Sequence, residues 1–432
     1  MALVYSTTSF AVSAFASCLA ALIVSLLAFS SREHPRFEHG VSIDLCSTSS
    51  PERRKFVKIC RQAIPPCKLN PFLLSSGHLH TLWNLATARR APPCRFNRIL
   101  IEQKDPRYAG SFAMDFFHGV QDGQIAPSAF GASNAQPRTS TINQEQKQKL
   151  AKNDVRPMLI ILPGLGGGSE EEYIQETCQS VTEKGDWEVV VVISRACSRT
   201  ILTSKLFYHA GSTWDLAQAV TWLTEMFPNR PLYALGFSLG ANILANYVAD
   251  EAGKCLLQAA MTVSNPWDLE KSLDALQSSW FGKETYLRAL GTTLKRKALA
   301  NAEQISANSG IDLDAVRRAK YLPDFDLAVQ VPMWKFKSVR HYYQATSSAH
   351  RVASVAIPFL VVNALDDPIS AGAAIPSNAL ATSAHAVLCT TKHGGHVGWH
   401  CIRGRRWIAG AASSFFDEMR NWRLKEDVNV DF

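Results

Sequence analysis

The stretch Pro231–Asp250, PLYALGFSLGANILANYVAD, decides the fold of this chain. A short apolar strand runs into the pentapeptide GFSLG, residues 236–240, and then directly into a helical pattern. Such a turn strains the backbone of Ser238, and the glycines on either side are needed because any Cβ there would clash. G-x-S-x-G alone arises by chance in roughly one chain in ten of this size, so a plain buried turn remains the alternative. The strand-to-helix setting favours a nucleophilic serine at Ser238.

A nucleophilic serine needs a base, and the base needs an acid that orients it, in the chain order Ser, Asp, His. The glycine-rich segment KHGGHVG, residues 392–398, predicts His396 as the base. The apolar run PFLVVNALDDPIS, residues 358–370, ends in two adjacent acids. Its strand-end spacing favours Asp366 as the acid. Asp367 is the alternative, either as the acid or as a cap of the following turn.

The tetrahedral oxygen of an acyl transfer needs backbone N–H donors, of which one follows the nucleophile. That residue is Leu239. The second donor is expected in the turn PGLGGG, residues 163–168, after the strand MLIIL, and Leu165 is the predicted residue. A phosphate-binding loop is the competing interpretation, but neither the G-x-G-x-x-G spacing nor a following Lys-Ser or Lys-Thr is present.

Apolar runs without alternation are typical of strands that are buried on both faces of a parallel sheet. The chain contains seven such strand candidates, most of them separated by helical patterns, which predicts an α/β fold with a mostly parallel central sheet flanked by helices. They are Phe112–Phe117, Met158–Leu162, Trp187–Ile193, Leu232–Leu235, Leu256–Val263, Phe359–Val362 and Ala386–Thr390. Between Trp267 and Arg351 the alternation of strands and helices stops, and helical patterns rich in aromatic residues follow. This segment is predicted to form a cap over the site.

Composition excludes several classes of protein. The 432 residues are 47% hydrophobic and 19% charged, which rules out a disordered chain. A net charge of +8 without a basic stripe argues against nucleic-acid binding. The ten cysteines are too sparse for a disulfide scaffold. His393, His396 and His400 have a metal-like spacing, but the glycines among them disfavour a helix that would align the rings, so we expect no metal.

The first 31 residues contain no Asp, Glu, Lys, Arg or His, and Ser9–Ser30 is a continuous apolar stretch. Because a bilayer span needs about 20 such residues, an uncleaved N-terminal membrane anchor is expected. A signal peptide is the rival interpretation, although no basic residue precedes the stretch and no clear cleavage site follows it. Basic residues such as Arg32 and Arg36 after the stretch favour a cytosolic body. We therefore expect a single-pass membrane protein, located in the endoplasmic reticulum.

The positions of helix- and strand-breaking residues suggest that the chain divides into six segments. Residues 32–120 are expected to be irregular with the first strands, and 121–155 is polar enough to be a mobile insertion. The predicted segments are 1–31 (anchor), 32–120, 121–155, 156–266 (first part of the core), 267–350 (helical cap) and 351–432 (second part of the core). Two further pairs of residues are expected to have structural rather than catalytic roles. His78 and His80 have the period of an extended segment, whereas His209 and Asp215 miss the spacing of an acyltransferase H-x-x-x-x-D box.

These motifs together resemble the YheT-like group of α/β hydrolases, which includes membrane-anchored abhydrolase-domain esterases and fungal medium-chain ethyl-ester synthase/esterases. The similarity covers about residues 70–425 and rests on eight short matches. They are GHL at 77–79, PGL at 163–165, YHAG at 208–211, GFSLGAN at 236–242, NPWDL at 265–269, YY at 342–343, NALDDP at 363–368 and GGHVG at 394–398. The resemblance implies that Ser238, Asp366 and His396 form the charge relay, with no metal or organic cofactor.

The resemblance implies hydrolysis of lipid or fatty-acyl esters of short to medium chain through an acyl-enzyme. The alternatives are an acyl-CoA:alcohol acyltransferase or a phospholipase that uses the same triad, and a non-catalytic lipid-binding relative. The expected partner is a fatty-acyl ester or phospholipid substrate. One departure concerns residues 193–198, ISRACS, where the group usually has Asn-x-Arg-Gly. It leaves the triad untouched but bears on the pocket wall.

Overall fold

A large, mostly parallel sheet organises the chain. The computed structural model describes residues 32–33, 35–38, 51–70, 76–87, 94–120, 139–142, 152–308, 310–401 and 405–430. Within these residues the strands are β1 (Arg32–Glu33), β2 (Arg36–Glu38), β3 (Cys67–Lys68), β4 (Cys94–Glu102), β5 (Ser111–Val120), β6 (Thr139–Thr141), β7 (Met158–Leu162), β8 (Glu188–Ile193), β9 (Leu232–Phe237), β10 (Leu257–Val263), β11 (Phe359–Ala364) and β12 (Ala386–Thr391). All seven predicted strands are present, with ends shifted by at most a few residues.

The described part of the sheet has ten strands in the order β2-β12-β11-β10-β9-β7-β8-β5-β4-β6. Strands β7 to β12 pair in parallel. Antiparallel strands flank them, since β2 pairs with β12 and β5 pairs with β8. The predicted fold class, a mostly parallel sheet flanked by helices, is confirmed.

The β-branched and aliphatic runs form strands because both faces of the sheet are covered. In β7, Leu159 and Ile161 belong to the core on one face, whereas Met158 and Ile160 belong to the core on the other. All five residues of this strand are buried. Alternate side chains thus enter two separate hydrophobic layers, which explains why the sequence shows no polar alternation.

Helices cover both faces and fill the segment between β10 and β11. The α-helices among the described residues are Pro51–Ala63, Gly77–Thr87, Glu172–Lys184, Trp214–Met226, Leu239–Glu251, Leu269–Gln277, Arg288–Ala300, Ala302–Ser306, Leu313–Arg318, Leu322–Phe325, Val331–Trp334, Val339–Thr346, Ser377–Thr382 and Trp407–Val430. Two π-helical turns, Gly282–Leu287 and Asp326–Gln330, interrupt the segment between β10 and β11. The division into core and cap stays a prediction.

Two expectations for the N-terminal third need comment. The segment with His78 and His80 is not extended but lies in the helix Gly77–Thr87, and its buried residues, Gly77, His80 and Thr81, recur at helical spacing. The polar insertion 121–155 lies largely outside the described residues. Of its described residues, Thr139–Thr141 adds a short parallel strand to the edge strand β4.

The predicted membrane localisation is corrected by the structure. No helix in the described part of the chain combines the length and the apolar character that a bilayer crossing requires. The longest, Trp407–Val430, carries charged side chains along its length, including Asp417 and Arg420. The absence of such a helix among the described residues contradicts the expectation of a single-pass protein of the endoplasmic reticulum. Residues 1–31, on which the predicted anchor depended, lie outside the described residues.

Candidate active site

Ser238 lies at a sharp turn between β9 and the helix Leu239–Glu251. Its backbone has φ 51° and ψ −119°, a conformation that is strained for a residue with a side chain. A Cβ on Gly236 would approach the Cα of Ala241 to 2.6 Å, and one on Gly240 would approach the carbonyl oxygen of Leu162 to 2.4 Å. The glycines on either side are therefore steric requirements of the turn, as the sequence predicted.

His396 lies on the loop after β12 and contacts the serine directly. Its Nε2 atom is 2.7 Å from the Oγ atom of Ser238. The helix Gly77–Thr87 fixes this loop: the His396 amide donates to the Thr81 hydroxyl at 2.9 Å, and the Asn84 side-chain amide donates to the His396 carbonyl at 3.0 Å. The sequence analysis missed both supporting residues, although their i, i+3 spacing puts them on one helix face.

The acid at His396 is Asp367. Its two carboxylate oxygens lie 2.9 and 3.1 Å from the Nδ1 atom of His396. The amides of Ile369 and Ser370 both donate to the Oδ1 atom of Asp367 at 2.8 Å. The Asp367 side chain is fully buried. A carboxylate that is held by two amides and a histidine can orient the imidazole and stabilise its protonated form.

Asp366, which the sequence favoured as the acid, lies elsewhere. Its carboxylate accepts the Gly395 amide at 2.9 Å and lies 3.1 Å from the Nδ1 atom of His393. Burial raises the pKa of this carboxyl group above its ordinary value. Successive side chains beyond the end of β11 point in different directions, so only one of the two neighbouring acids meets His396. Asp366 instead stabilises the loop that carries His396, through its contacts with Gly395 and His393.

The two leucines predicted as oxyanion donors flank the serine. The amides on either side of Leu165 are in use, since Gly164 donates to the Tyr173 hydroxyl at 2.9 Å and Gly166 donates to the Tyr208 hydroxyl at 3.0 Å. In the described part of the chain the amides of Leu165 and Leu239 donate no hydrogen bond. Leu239 also begins a helix, whose N-terminal end favours negative charge.

A cavity of about 320 Å³ opens onto Ser238 and His396. Its wall has an apolar part, which comprises Leu82, Leu165, Ala289, Leu290, Ile369 and Val397, and a polar part, which comprises Asn84, Glu171, Glu172 and Arg406. Of the aromatic residues predicted in the cap, Tyr286 lines the cavity, whereas Trp280 is 77% exposed. The cavity lies near the lower end of the range for small-molecule sites, about 300–1,000 Å³.

His209 and Asp215 have structural roles, as predicted. Asp215 forms a two-point ion pair with Arg195, both distances being 2.8 Å, and the Arg195 guanidinium also donates to the carbonyl of Tyr108. His209 is surrounded by aromatic rings, including that of Trp334 at 4.7 Å between centroids. Burial lowers its pKa to about 3. Neither residue reaches Ser238 by a hydrogen bond in the described structure.

The three histidines with metal-like spacing do not converge. His396 faces the serine, His393 faces Asp366, and the Nε2 atom of His400 lies 2.8 Å from the Oδ1 atom of Asn84. Among the described residues no cluster of three or more His, Cys, Asp or Glu side chains has the arrangement of a metal site.

Several known proteins with similar sequences carry the names of enzymes that act on lipid esters. A monoacylglycerol lipase of Saccharomyces cerevisiae is 35% identical over 288 residues, which cover 65% of this chain and 64% of the relative. A medium-chain fatty acid ethyl ester synthase/esterase 2 of the same yeast is 29% identical over 305 residues, covering 66% and 67%. The phospholipase ABHD3 of Mus musculus is 32% identical over 247 residues, covering 56% and 58%. The matched part thus spans two thirds or less of these relatives.

The resemblance predicted from the motifs is confirmed by these relatives, which are of the kinds that the resemblance named. The family described as alpha/beta hydrolase fold matches residues 157–398, more than half of the chain, and this range contains the turn at Ser238 and the loop of His396. The chain therefore belongs to the α/β hydrolase fold family.

Proposed function

We propose that this chain is a serine-dependent carboxylic ester hydrolase that acts on lipid or fatty-acyl esters of short to medium chain. The observation that carries the proposal is the continuous line of contacts from Asp367 through His396 to Ser238, with distances of 2.9 and 2.7 Å. A base within hydrogen-bond reach of a nucleophile, itself oriented by a buried acid, is the arrangement that acyl transfer requires.

In the first step His396 takes the proton of Ser238 while the serine oxygen attacks the ester carbonyl. Asp367 holds the ring and stabilises the imidazolium that forms. The oxyanion accepts hydrogen bonds from the amides of Leu165 and Leu239. Collapse of this intermediate transfers the proton from His396 to the alcohol, which leaves, and the acyl group remains on the serine.

In the second step water attacks the acyl-enzyme, and the same imidazole acts first as base and then as acid. The products are a fatty acid and free Ser238. The catalytic assignment is therefore Ser238, His396 and Asp367. Asp366 becomes a positioning residue, since it contacts the loop at Gly395 rather than the catalytic ring.

The substrate class is supported by the cavity and by the names of the relatives. Leu82, Leu290 and Ile369 offer an apolar wall next to the nucleophile, as an acyl chain requires. A monoacylglycerol lipase and an ethyl ester synthase/esterase are among the similar proteins. No contact among the described residues of the site favours an acyl-CoA:alcohol acyltransferase or restricts the hydrolase to phospholipids, and the intact triad contacts argue against a non-catalytic relative.

Labelling with a fluorophosphonate tests the proposal. The wild-type chain should be labelled at Ser238 and should hydrolyse a dispersed octanoate ester, whereas Ser238→Ala should lose both properties at an unchanged melting temperature. Ser278→Ala, on an exposed helix end, is the matched control and should behave as the wild type. Labelling of the Ser238→Ala protein with turnover intact would overturn the assignment.

A further inference from the structure

The polar part of the cavity wall contains one carboxylate that differs from its neighbours. Glu170 accepts a hydrogen bond from the Ser198 hydroxyl at 2.6 Å, and Glu172 pairs with Arg406 at 2.9 Å. Glu171, between them, lines the cavity and forms no hydrogen bond and no ion pair with any described side chain. The Glu171 carboxylate, which is half-buried at the cavity wall, is therefore open to a hydrogen-bond donor that a bound ligand supplies.

The position of Glu171 is fixed by the backbone beside it. It immediately precedes the helix Glu172–Lys184, and its side chain does not cap that helix. A Cβ on Gly167 would lie 3.0 Å from the Glu171 Cγ atom and 3.4 Å from its Oε1 atom, so the side chain packs along the glycine. The carboxylate is thereby held in the same cavity as Ser238.

We propose, on the basis of the hydrolase function above, that Glu171 forms a subsite for the alcohol part of the ester and accepts hydrogen bonds from its free hydroxyl groups. The favoured substrates are then single-chain esters of a small polyol. The leaving alcohol occupies the polar part of the cavity, while the acyl chain lies against the apolar part.

The charges near the subsite favour a neutral hydroxyl over an anionic head group. Arg406 is already engaged by Glu172, Glu176 and the Asn84 side chain, so its charge is compensated. A phosphate would therefore meet the carboxylates of this wall, and the guanidinium of Arg406, although its Nε atom donates no hydrogen bond, is already paired with two of them. Burial, together with nearby Glu170, raises the pKa of Glu171 to about 7. Lys297 opposes this shift, and at neutral pH the group can accept from a hydroxyl or donate to one.

The test compares kcat/KM for mono-octanoylglycerol with kcat/KM for propyl octanoate, an ester with the same carbon count in its alcohol but without free hydroxyls. Hydrogen bonds to a charged group should give the wild type a preference of about tenfold or more for the glycerol ester. Glu171→Leu should bring the ratio close to one, and Glu171→Gln, which keeps one acceptor oxygen, should give an intermediate ratio. Glu303→Gln, at an exposed position outside the cavity wall, is the matched control and should retain the wild-type ratio.

The outcomes separate the subsite from the function on which it depends. If neither ester is hydrolysed, the proposed function fails. If the wild type hydrolyses both esters with equal kcat/KM, or if Glu171→Leu keeps the preference, only the subsite is wrong. Octanoylcholine has a cationic alcohol part without a free hydroxyl. If Glu171→Gln lowers kcat/KM for octanoylcholine more than it lowers kcat/KM for the glycerol ester, Glu171 recognises charge, and the proposal is overturned. If Glu171→Leu does not fold, Glu171→Gln decides, since an unchanged preference for the glycerol ester in that variant would overturn the subsite.

Discussion

The Nδ1 atom of His396 lies 2.9 Å from a carboxylate oxygen of Asp367. The neighbouring acid, Asp366, contacts His393 instead. Two adjacent carboxylates of the same chemical type therefore have different surroundings: one is fully buried against the His396 ring, and the other is 20% exposed beside His393. This difference can be tested by equivalent substitutions.

Asp367→Asn should lower kcat by about 10⁴-fold, because an amide stabilises neither the correct tautomer of His396 nor its imidazolium. Asp366→Asn should cost about tenfold or less, since it only loosens the loop. Steady-state kinetics on one octanoate ester, with melting temperatures to confirm folding, measure both effects. A larger loss for Asp366→Asn would return the catalytic role to that residue.

Gly240→Ala should lower the free energy of unfolding by about 2 kcal/mol or more, because the new Cβ would lie 2.4 Å from the carbonyl oxygens of Leu162 and Pro163. Gly410→Ala is the matched control in the helix Trp407–Val430, where nothing lies within 4 Å of the new Cβ. It should stabilise by about 0.5–1 kcal/mol through helix propensity. Urea denaturation measures both, and equal effects would contradict the steric account of the turn.

Asp326 should make stability depend on pH. Burial raises the pKa of its carboxyl group to about 7, although the Tyr343 hydroxyl donates to it at 2.5 Å. In the unfolded chain an aspartate titrates near pH 4, so the folded state binds the proton more tightly. This contribution is fully present below about pH 4 and is lost as the pH rises through about 7, by up to about 4 kcal/mol.

Asp326→Asn should remove that loss. The melting temperature of the wild type should fall between pH 5 and pH 8, and that of the variant should change less over the same interval. Asp314→Asn, at an exposed position, is the control and should follow the wild type. A variant as pH-sensitive as the wild type would show that another group is responsible.

The length of the acyl chain should affect kcat/KM until the cavity is full. Each buried CH₂ contributes about 0.8 kcal/mol, so octanoate esters should exceed butyrate esters by about two powers of ten. Leu290→Trp should shift the optimum to shorter chains, because Leu290 lines the cavity. Trp280→Ala, at a residue that is 77% exposed, should leave the profile unchanged. A profile that is flat or best for acetate would contradict the acyl-binding role of the cavity.

The sequence by itself determined the local features of this protein. Strands buried on both faces must be apolar throughout, and the turn at Ser238 requires glycines on both sides, so both are visible as residue patterns. The loop of His396 could be identified for the same reason, since its glycines permit the close approach that a base needs. These features depend on neighbours in the chain, and their signals lie within short windows of sequence.

Only the tertiary structure decided the relationships between distant segments. The contact of His396 with Asp367 rather than with Asp366 depends on the direction in which each side chain points beyond β11, relative to a loop about thirty residues later. The helix Gly77–Thr87 supports that loop across more than 300 residues of sequence. The Glu171 side chain packs beside Gly167 and faces the cavity, whereas Glu170 accepts from Ser198 and Glu172 pairs with Arg406. Burial and side-chain direction are properties of the packed chain, and no local pattern encodes them.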